Sequence, residues 1–218
     1  MITTESYLLL IVAWTAWCGL HSALICVPVA DYFERLLGAN FRFYRLAYNL
    51  ISIATLAVPV FLTLSIQRSE TVLLAWAGMA ETIRFFLIGT AVILFISGGK
   101  HYDLNHFLGI SQVRTRQAKH LLKDEPVFTV SGVSRVIRHP WYLGGILIVW
   151  SAPNSFFPST VITAVIISVY FLVGTMLEEH KLVKHFGDAY RDYQRDVSML
   201  FPLKWLNRLF IINNKRGE

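Results

Sequence analysis

The sequence predicts an all-α, polytopic integral membrane protein with about five transmembrane helices and a C-terminal amphipathic helix. Three observations lead there. Of the 218 residues, 55% are hydrophobic, more than a soluble domain of this size normally carries. These residues fall in runs approaching the roughly 20 apolar residues that a helix needs to cross a bilayer core. The net charge of +6 lies between the runs, the pattern that keeps basic loops on the cytoplasmic side. That placement turns the basic balance away from nucleic acid and toward anionic lipid headgroups. The length suits one domain: N-terminal helices over 1–99, a cytoplasmic loop over 100–139, a motif-bearing hairpin and amphipathic helix over 140–202, and a basic tail over 203–218.

Residues 7–29 form the first span, with Trp14 and Trp17 inside it. No basic residue precedes it and no small-x-small site follows clearly, so it reads poorly as a signal peptide. His21 has two readings: an intramembrane functional group, or a helix-end histidine bonded to Ser22 or nearby backbone. Cys18 and Cys26 are eight residues apart on one helix, too far to pair, and read as small buried apolar groups. Residues 28–45 are a connecting segment whose Arg35, Arg42 and Arg45 mark the cytoplasmic side. Residues 44–66 form a second span that Pro59 should kink. Over 69–97 either one long tilted helix runs from about Leu73 to Ser97, or, the preferred reading, an interfacial piece precedes a short span from Ile83. Glu81 and Arg84 sit at the outer interface, where their spacing lets them pair on one helix face. Residues 100–137 carry Lys100, Arg114, Arg116, Lys119, Lys123 and Arg135 and should be cytoplasmic. At their start, His101, Tyr102, Asp103, Asn105 and His106 read either as a pocket wall or as a polar helix end capped by Asp103 or Asn105. Residues 141–152 and 159–177 form a hairpin turning through 153–158. Beyond it, Leu182, Phe186, Tyr190, Tyr193 and Val197 make one stripe at helical spacing, opposite lysine and arginine. Alternating the spans puts the N-terminus outside and the C-terminus in the cytoplasm, with both clusters described next on the cytoplasmic side of a bacterial inner membrane.

The chemistry concentrates in two stretches. The first reads Arg138-His139-Pro140-Trp141-Tyr142-Leu143-Gly144. Pro140 suits the first turn of a helix and pushes His139 toward an extended backbone. Arg138 and His139 therefore form a donor-rich corner at a helix entrance, which favours anionic groups. Gly144 and Gly145 bare the backbone, so that a flat ligand or another helix can approach. The second stretch begins with Glu178-Glu179, two carboxylates at the end of an apolar run that are costly unless they meet water or a cation. A ligand carrying a carboxylate, positive groups and a flat ring satisfies both stretches, and S-adenosylmethionine is such a ligand.

The two stretches, continued by Phe186-Gly187, Tyr190 and Tyr193 and then Val197 and Pro202, resemble the membrane methyltransferases of the isoprenylcysteine carboxyl methyltransferase superfamily, with its RHPxYxG, EE and FGxxYxxY motifs. Phospholipid methyltransferases share parts of the pattern. The resemblance covers about the last third of the chain. Ser198 stands where that family usually has proline. Upstream, Leu20-His21-Ser22 and the run from His101 to Arg114 are similar to the bacterial branch near methanethiol S-methyltransferase, which includes denitrification-associated membrane proteins.

The resemblance implies an S-adenosylmethionine-dependent S- or O-methyltransferase. Arg138, His139, Pro140, Tyr142 and Gly144 would shape the cofactor site, with His101 on its wall. Glu178 and Glu179 would complete it, one of them on the cofactor ammonium, and Tyr190 and Tyr193 would close it. Arg138 and Glu178 carry the catalytic assignment, Arg138 holding the cofactor carboxylate or orienting the acceptor. The acceptor is a small thiol, or else a lipid-like or prenylcysteine carboxylate entering between helices. Two other classes compete. One is a non-catalytic accessory protein of the same fold in nitrogen-oxide metabolism, disfavoured by the completeness of the motif. The other is a sterol-reductase-like enzyme using a nicotinamide cofactor. A metal site is set aside, because the seven histidines make no HExxH, and His180 and His185, five apart, do not share a helix face. No phosphate loop, GxGxxG or Gly-x-Ser-x-Gly occurs.

Overall fold

The structure, a computed structural model, describes residues 3–99, 104–115 and 130–214. It is all-α as expected, apart from two strands of two residues each. In chain order the elements are α1 (Thr4–Ile25), α2 (Val27–Leu37), α3 (Tyr44–Gln67), β1 (Leu74–Ala75), α4 (Met79–Gly99), α5 (Leu104–Leu108), α6 (Ile110–Thr115), α7 (Pro140–Ser151), β2 (Ser155–Phe156), α8 (Pro158–Phe186), α9 (Asp188–Asp196) and α10 (Leu203–Asn214). Among the described residues, four segments are long and apolar enough to cross a membrane: Thr4–Ile25, Val27–Gln67, Met79–Gly99 and Pro158–Phe186. The fifth expected span, α7, is apolar but has only 12 residues. The chain divides into two compact units: Met1–Ala75, Tyr102–Pro126 and Ser155–Ile166 in the first, Trp76–His101, Val127–Asn154 and Ile167–Glu218 in the second.

In the first unit α1 packs on α3. Leu10, Trp14 and Cys18 line the buried face of α1 at four-residue intervals, and Tyr48, Ser52, Pro59 and Thr63 line that of α3. Lipid removes the hydrophobic drive between such helices, so close packing and polar contacts carry their association. Trp14 Nε1 donates to Thr63 Oγ1 and Trp17 Nε1 to the Ser52 carbonyl, both at 3.0 Å. Pro59 does not end α3, and Thr63 Oγ1 donates to its carbonyl at 2.8 Å. His21 meets groups on both α1 and α3. Its ring stacks on Trp17 with centroids 5.2 Å apart, and it meets Tyr48 Oη at 2.9 Å and Ser52 Oγ at 3.3 Å. The expected connecting segment 28–45 is mostly helical: Pro28 sits in the first turn of α2, where its missing N–H is harmless. Both cysteines are free. Leu74–Ala75 form β1, paired antiparallel with β2, within the stretch where an interfacial piece was expected.

In the second unit the expected short span is the full 21-residue helix α4, which packs along α7. Glycine allows the close approach. A Cβ on Gly98 would lie 2.5 Å from the Trp141 ring, whose Nε1 donates to the Phe95 carbonyl at 3.0 Å. Arg84 does not pair with Glu81. Its Nε donates to the Ser151 carbonyl at 2.8 Å and its Nη2 to the Ala152 carbonyl at 3.0 Å, satisfying carbonyls at the C-terminus of α7. Leu94, Ile137, Leu143 and Leu200 form the apolar core beneath the site. The single amphipathic stripe expected over 182–197 is split. Gly187, with φ +58°, takes a conformation that costs glycine little, and α8 and α9 are separate helices. The expected basic tail is helical over 203–214.

Candidate active site

The site is built from three pieces of the second unit. Pro140 opens α7 and His139 is its N-cap, as the sequence required. The residues around this entrance pair with the chain beyond α9: Ile137 bridges Ser198 in parallel, Arg138 N–H donates to the Ser198 carbonyl at 2.9 Å, and His139 N–H donates to the Met199 carbonyl at 3.1 Å. The C-terminal part of α8 brings the carboxylates, and α9 brings Tyr190, Tyr193 and Gln194.

Arg138 and Glu179 join the pieces. Arg138 Nε and Nη2 donate to the two Glu179 oxygens at 2.5 and 2.9 Å. Arg138 Nη1 donates to the carbonyls of Gln194, at 3.1 Å, and Val197. Glu179 also meets His139 Nε2 at 3.1 Å and accepts from Gln194 Nε2 at 2.8 Å and Tyr190 Oη at 3.4 Å. The pair is buried, with side chains only 7% and 12% exposed. Glu178 differs. It is 37% exposed, and its Oε2 lies 3.7 Å from Nδ1 of the buried His139 ring. The adjacent carboxylates therefore have different environments: Glu179 is enclosed by donors, while Glu178 faces outward beside His139.

The tyrosines are held as strongly. Burial pushes the Tyr190 phenol well above its ordinary range; the Glu179 charge adds to this and Arg138 opposes it. Tyr193 is pushed up to about 12 by burial, with Arg138 opposing, Glu179 reinforcing and its hydrogen bond to Ser134 opposing. That bond runs from Tyr193 Oη to the Ser134 carbonyl at 2.6 Å. The Tyr142 ring stands edge-on to His139 and Phe171, with centroids 5.6 and 5.8 Å away, and Gly174 leaves room beside it. Gly144 faces the Phe95 ring and Gly145 the Phe171 ring, so here the bare backbone receives neighbouring helices.

Arg138, His139, Pro140, Tyr142, Glu178, Glu179, Tyr190 and Tyr193 thus all belong to one cluster. His101 lies outside the described residues. Asn105 and His106 fall in the first unit, where α5 is held by Arg45 Nε on the Phe107 carbonyl at 2.7 Å and by Asn49. Three contributors had no sequence assignment: Gln194, the Ser134 carbonyl and the backbone of Ser198 and Met199. Gln194 had a readable signal, since it lies one helical turn beyond Tyr190. Among the described residues no group of three or more histidine, cysteine or acidic side chains could hold a metal ion.

The family model described as "Protein of unknown function (DUF1295)" matches residues 9–197. Among curated proteins, the chain is 31% identical over 162 residues to a methanethiol S-methyltransferase of Pseudomonas deceptionensis, covering 72% of this chain and 59% of that protein. It is 26% identical over 190 residues to the methanethiol S-methyltransferase of Pseudomonas sp. (strain GM41(2012)), covering 86% and 70%. A methanethiol S-methyltransferase of Mycobacterium tuberculosis is 32% identical over 134 residues, 61% of this chain and 52% of that protein. The matched region thus spans a little over half of the first of these relatives. No solved structure matches the chain.

Proposed function

The chain belongs to the DUF1295 family, and from that premise we propose that it is an integral membrane S-adenosylmethionine-dependent methyltransferase whose acceptor is a small thiol. The observation that carries this reading is the division between the two carboxylates: a buried Arg138–Glu179 pair that locks the motif stretches together, and an outward-facing Glu178 beside His139. The residues fit the cofactor. Glu178 would offer carboxylate oxygens to its ammonium, and the half-buried Tyr142 ring would offer an aromatic surface to its adenine. The thiol acceptor is favoured over a lipid-like or prenylcysteine acceptor by what the named relatives methylate. The site faces the cytoplasm of a bacterial inner membrane, with the N-terminus outside, by the distribution of basic residues.

When bound, the cofactor supplies a methyl group on a sulfonium whose departure leaves a neutral thioether. An acceptor that has already lost its thiol proton would take that methyl group, leaving S-adenosylhomocysteine and a methyl thioether, so no residue here would need to act as a base. This chain needs to align the reactants and exclude water, which can lower a barrier by about 7–11 kcal/mol. Glu178 anchors one end of the cofactor. Arg138 acts through Glu179, Gln194 and Val197, keeping the α7 entrance, α8 and α9 in register. His139 sits between the carboxylates and transmits that order to Glu178.

The test is calorimetric titration of S-adenosylhomocysteine into detergent-purified protein, beside a Glu178→Gln variant, with dimethyl sulfide formation from methanethiol read by gas chromatography. Saturable binding that the variant loses, together with turnover, is expected. A folded wild-type protein that binds no S-adenosylhomocysteine would overturn the reading.

A further inference from the structure

The C-terminal helix α10 has two unlike faces. With about 100° between successive residues, Leu203, Trp205, Leu206, Leu209 and Phe210 share one half of its circumference, and Lys204 and Arg208 lie on the other. The basic half is engaged. Lys204 Nζ donates to the carbonyls of Gln194 and Arg195 at 2.6 and 2.9 Å, and Arg208 Nη2 donates to the Asp196 carbonyl. Two cations thus sit on the C-terminal turn of α9, where unsatisfied carbonyls and the helix dipole favour them. The apolar half has all five side chains exposed, Leu203 by 64% and Phe210 by 73%.

Ser198 sets the position of α10. Its Oγ accepts from the Lys204 N–H at 3.0 Å, while its carbonyl accepts from Arg138 N–H. Residues 137–139 lead directly into the apolar helix α7. The start of α10 is therefore held at the level where α7 leaves the polar boundary. The same unit contains α4 and the apolar stretch of α8, so a bilayer surface lies at that level. A tryptophan on such a helix suits the membrane–water interface. Ser198 also accounts for the departure from the proline of the resembling family, because proline has no hydroxyl with which to cap α10.

We propose that α10 is an interfacial helix whose apolar half rests in the bilayer and which, through Lys204, holds α9 and the Arg138 cluster in place; the second half of this statement rests on reading that cluster as the active site. The shared atom is the Gln194 carbonyl, which accepts from both Lys204 Nζ and Arg138 Nη1. Since Lys204 and Arg208 are engaged by α9, apolar burial drives the docking, and anionic headgroups are not required.

The test places nitroxide labels at Leu206→Cys and Phe210→Cys, in a Cys18→Ala/Cys26→Ala background, in vesicles of phosphatidylcholine with and without phosphatidylglycerol. High collision rates with oxygen and low rates with a water-soluble nickel chelate are expected at both positions in both lipids. Nickel accessibility would overturn the placement. Spin–spin broadening between copies would overturn it too, assigning the face to a second copy of the chain. Docking only with phosphatidylglycerol would overturn the apolar driving force. Leu206→Glu with Phe210→Glu should release the helix and weaken S-adenosylhomocysteine binding several-fold at an unchanged melting temperature. Unchanged affinity after release would overturn the coupling. A wild-type protein that binds no S-adenosylhomocysteine would remove the cofactor reading and the coupling with it, while the labels still decide the placement.

Discussion

Arg138 directs its side chain inward, and its neighbours determine what substitutions there will do. Lysine keeps the charge but cannot make two parallel bonds to Glu179 while also reaching the Gln194 and Val197 carbonyls. Removing one partner of a buried pair costs about 3–5 kcal/mol, so Arg138→Lys and Glu179→Gln should both lower the melting temperature sharply in detergent. Glu178→Gln should melt within about 0.5 kcal/mol of wild type, as an exposed substitution does, yet lose S-adenosylhomocysteine. A Glu178 variant as unstable as the Glu179 variant would sink this division. The sequence marked both glutamates and put the catalytic assignment on Glu178, but it could not show that Glu179 is the enclosed one, because that depends on which of them meets donors across a tertiary contact. Tyr193 carries a pH prediction. Its folded value of about 12 lies above the ordinary 10.0, so above pH 10 the unfolded chain releases a proton that the native state retains. Stability should fall as pH rises from 10 toward 12 and be unaffected below. Tyr193→Phe should flatten that slope in alkaline melting curves while weakening the fold at neutral pH, because the Ser134 carbonyl loses its donor.

Helix packing in the second unit turns on a few glycines, and α4 contains its own control. Gly98→Ala would bring a Cβ within 2.5 Å of Trp141, whereas nothing lies within 4 Å of a Cβ on Gly89. Overpacking costs about 1–3 kcal/mol, and alanine for glycine inside a helix gains up to about 1 kcal/mol. Gly98→Ala should therefore destabilise and Gly89→Ala should not, as read by thermal unfolding in detergent; equal effects would mean that Trp141 moves aside freely. Periodicity and proline placement made the long helices and the entrance of α7 legible. The β1–β2 pair was not, because two-residue strands leave no pattern. The stripe from Leu182 to Val197 misled because its spacing survives the break at Gly187, where a positive φ is visible only in the backbone. Arg84 was read as a local partner of Glu81, whereas the carbonyls at the end of α7 offered it two better acceptors.

At the scale of the whole molecule, the topology hangs on α7. Twelve residues extend about 18 Å, against a hydrocarbon core of about 30 Å. If α7 stops halfway, the termini share a face of the membrane; if it crosses, they do not. The proposed topology has α7 crossing, and its contacts along α4 support that. Trp141, in the first turn of α7, bonds to Phe95, near the end of α4. Ser151 and Ala152, where α7 ends, are bonded by Arg84, in the second turn of α4. So α7 runs beside residues 84–98, nearly the whole of a helix long and apolar enough to cross. A guanidinium at its far end marks an interface, since a charge at mid-membrane is costly. The proposed topology, with five crossings and the C-terminus in the cytoplasm, predicts the turn after α7 outside and α9 inside. In a Cys18→Ala/Cys26→Ala background, Asn154→Cys and Glu5→Cys should react with a membrane-impermeant maleimide on intact bacterial cells, and Asp192→Cys only after permeabilisation. Labelling of Glu5→Cys and Asp192→Cys from one side and of Asn154→Cys from the other would mean that α7 returns to the face it left, because α8 still separates Asn154 from Asp192.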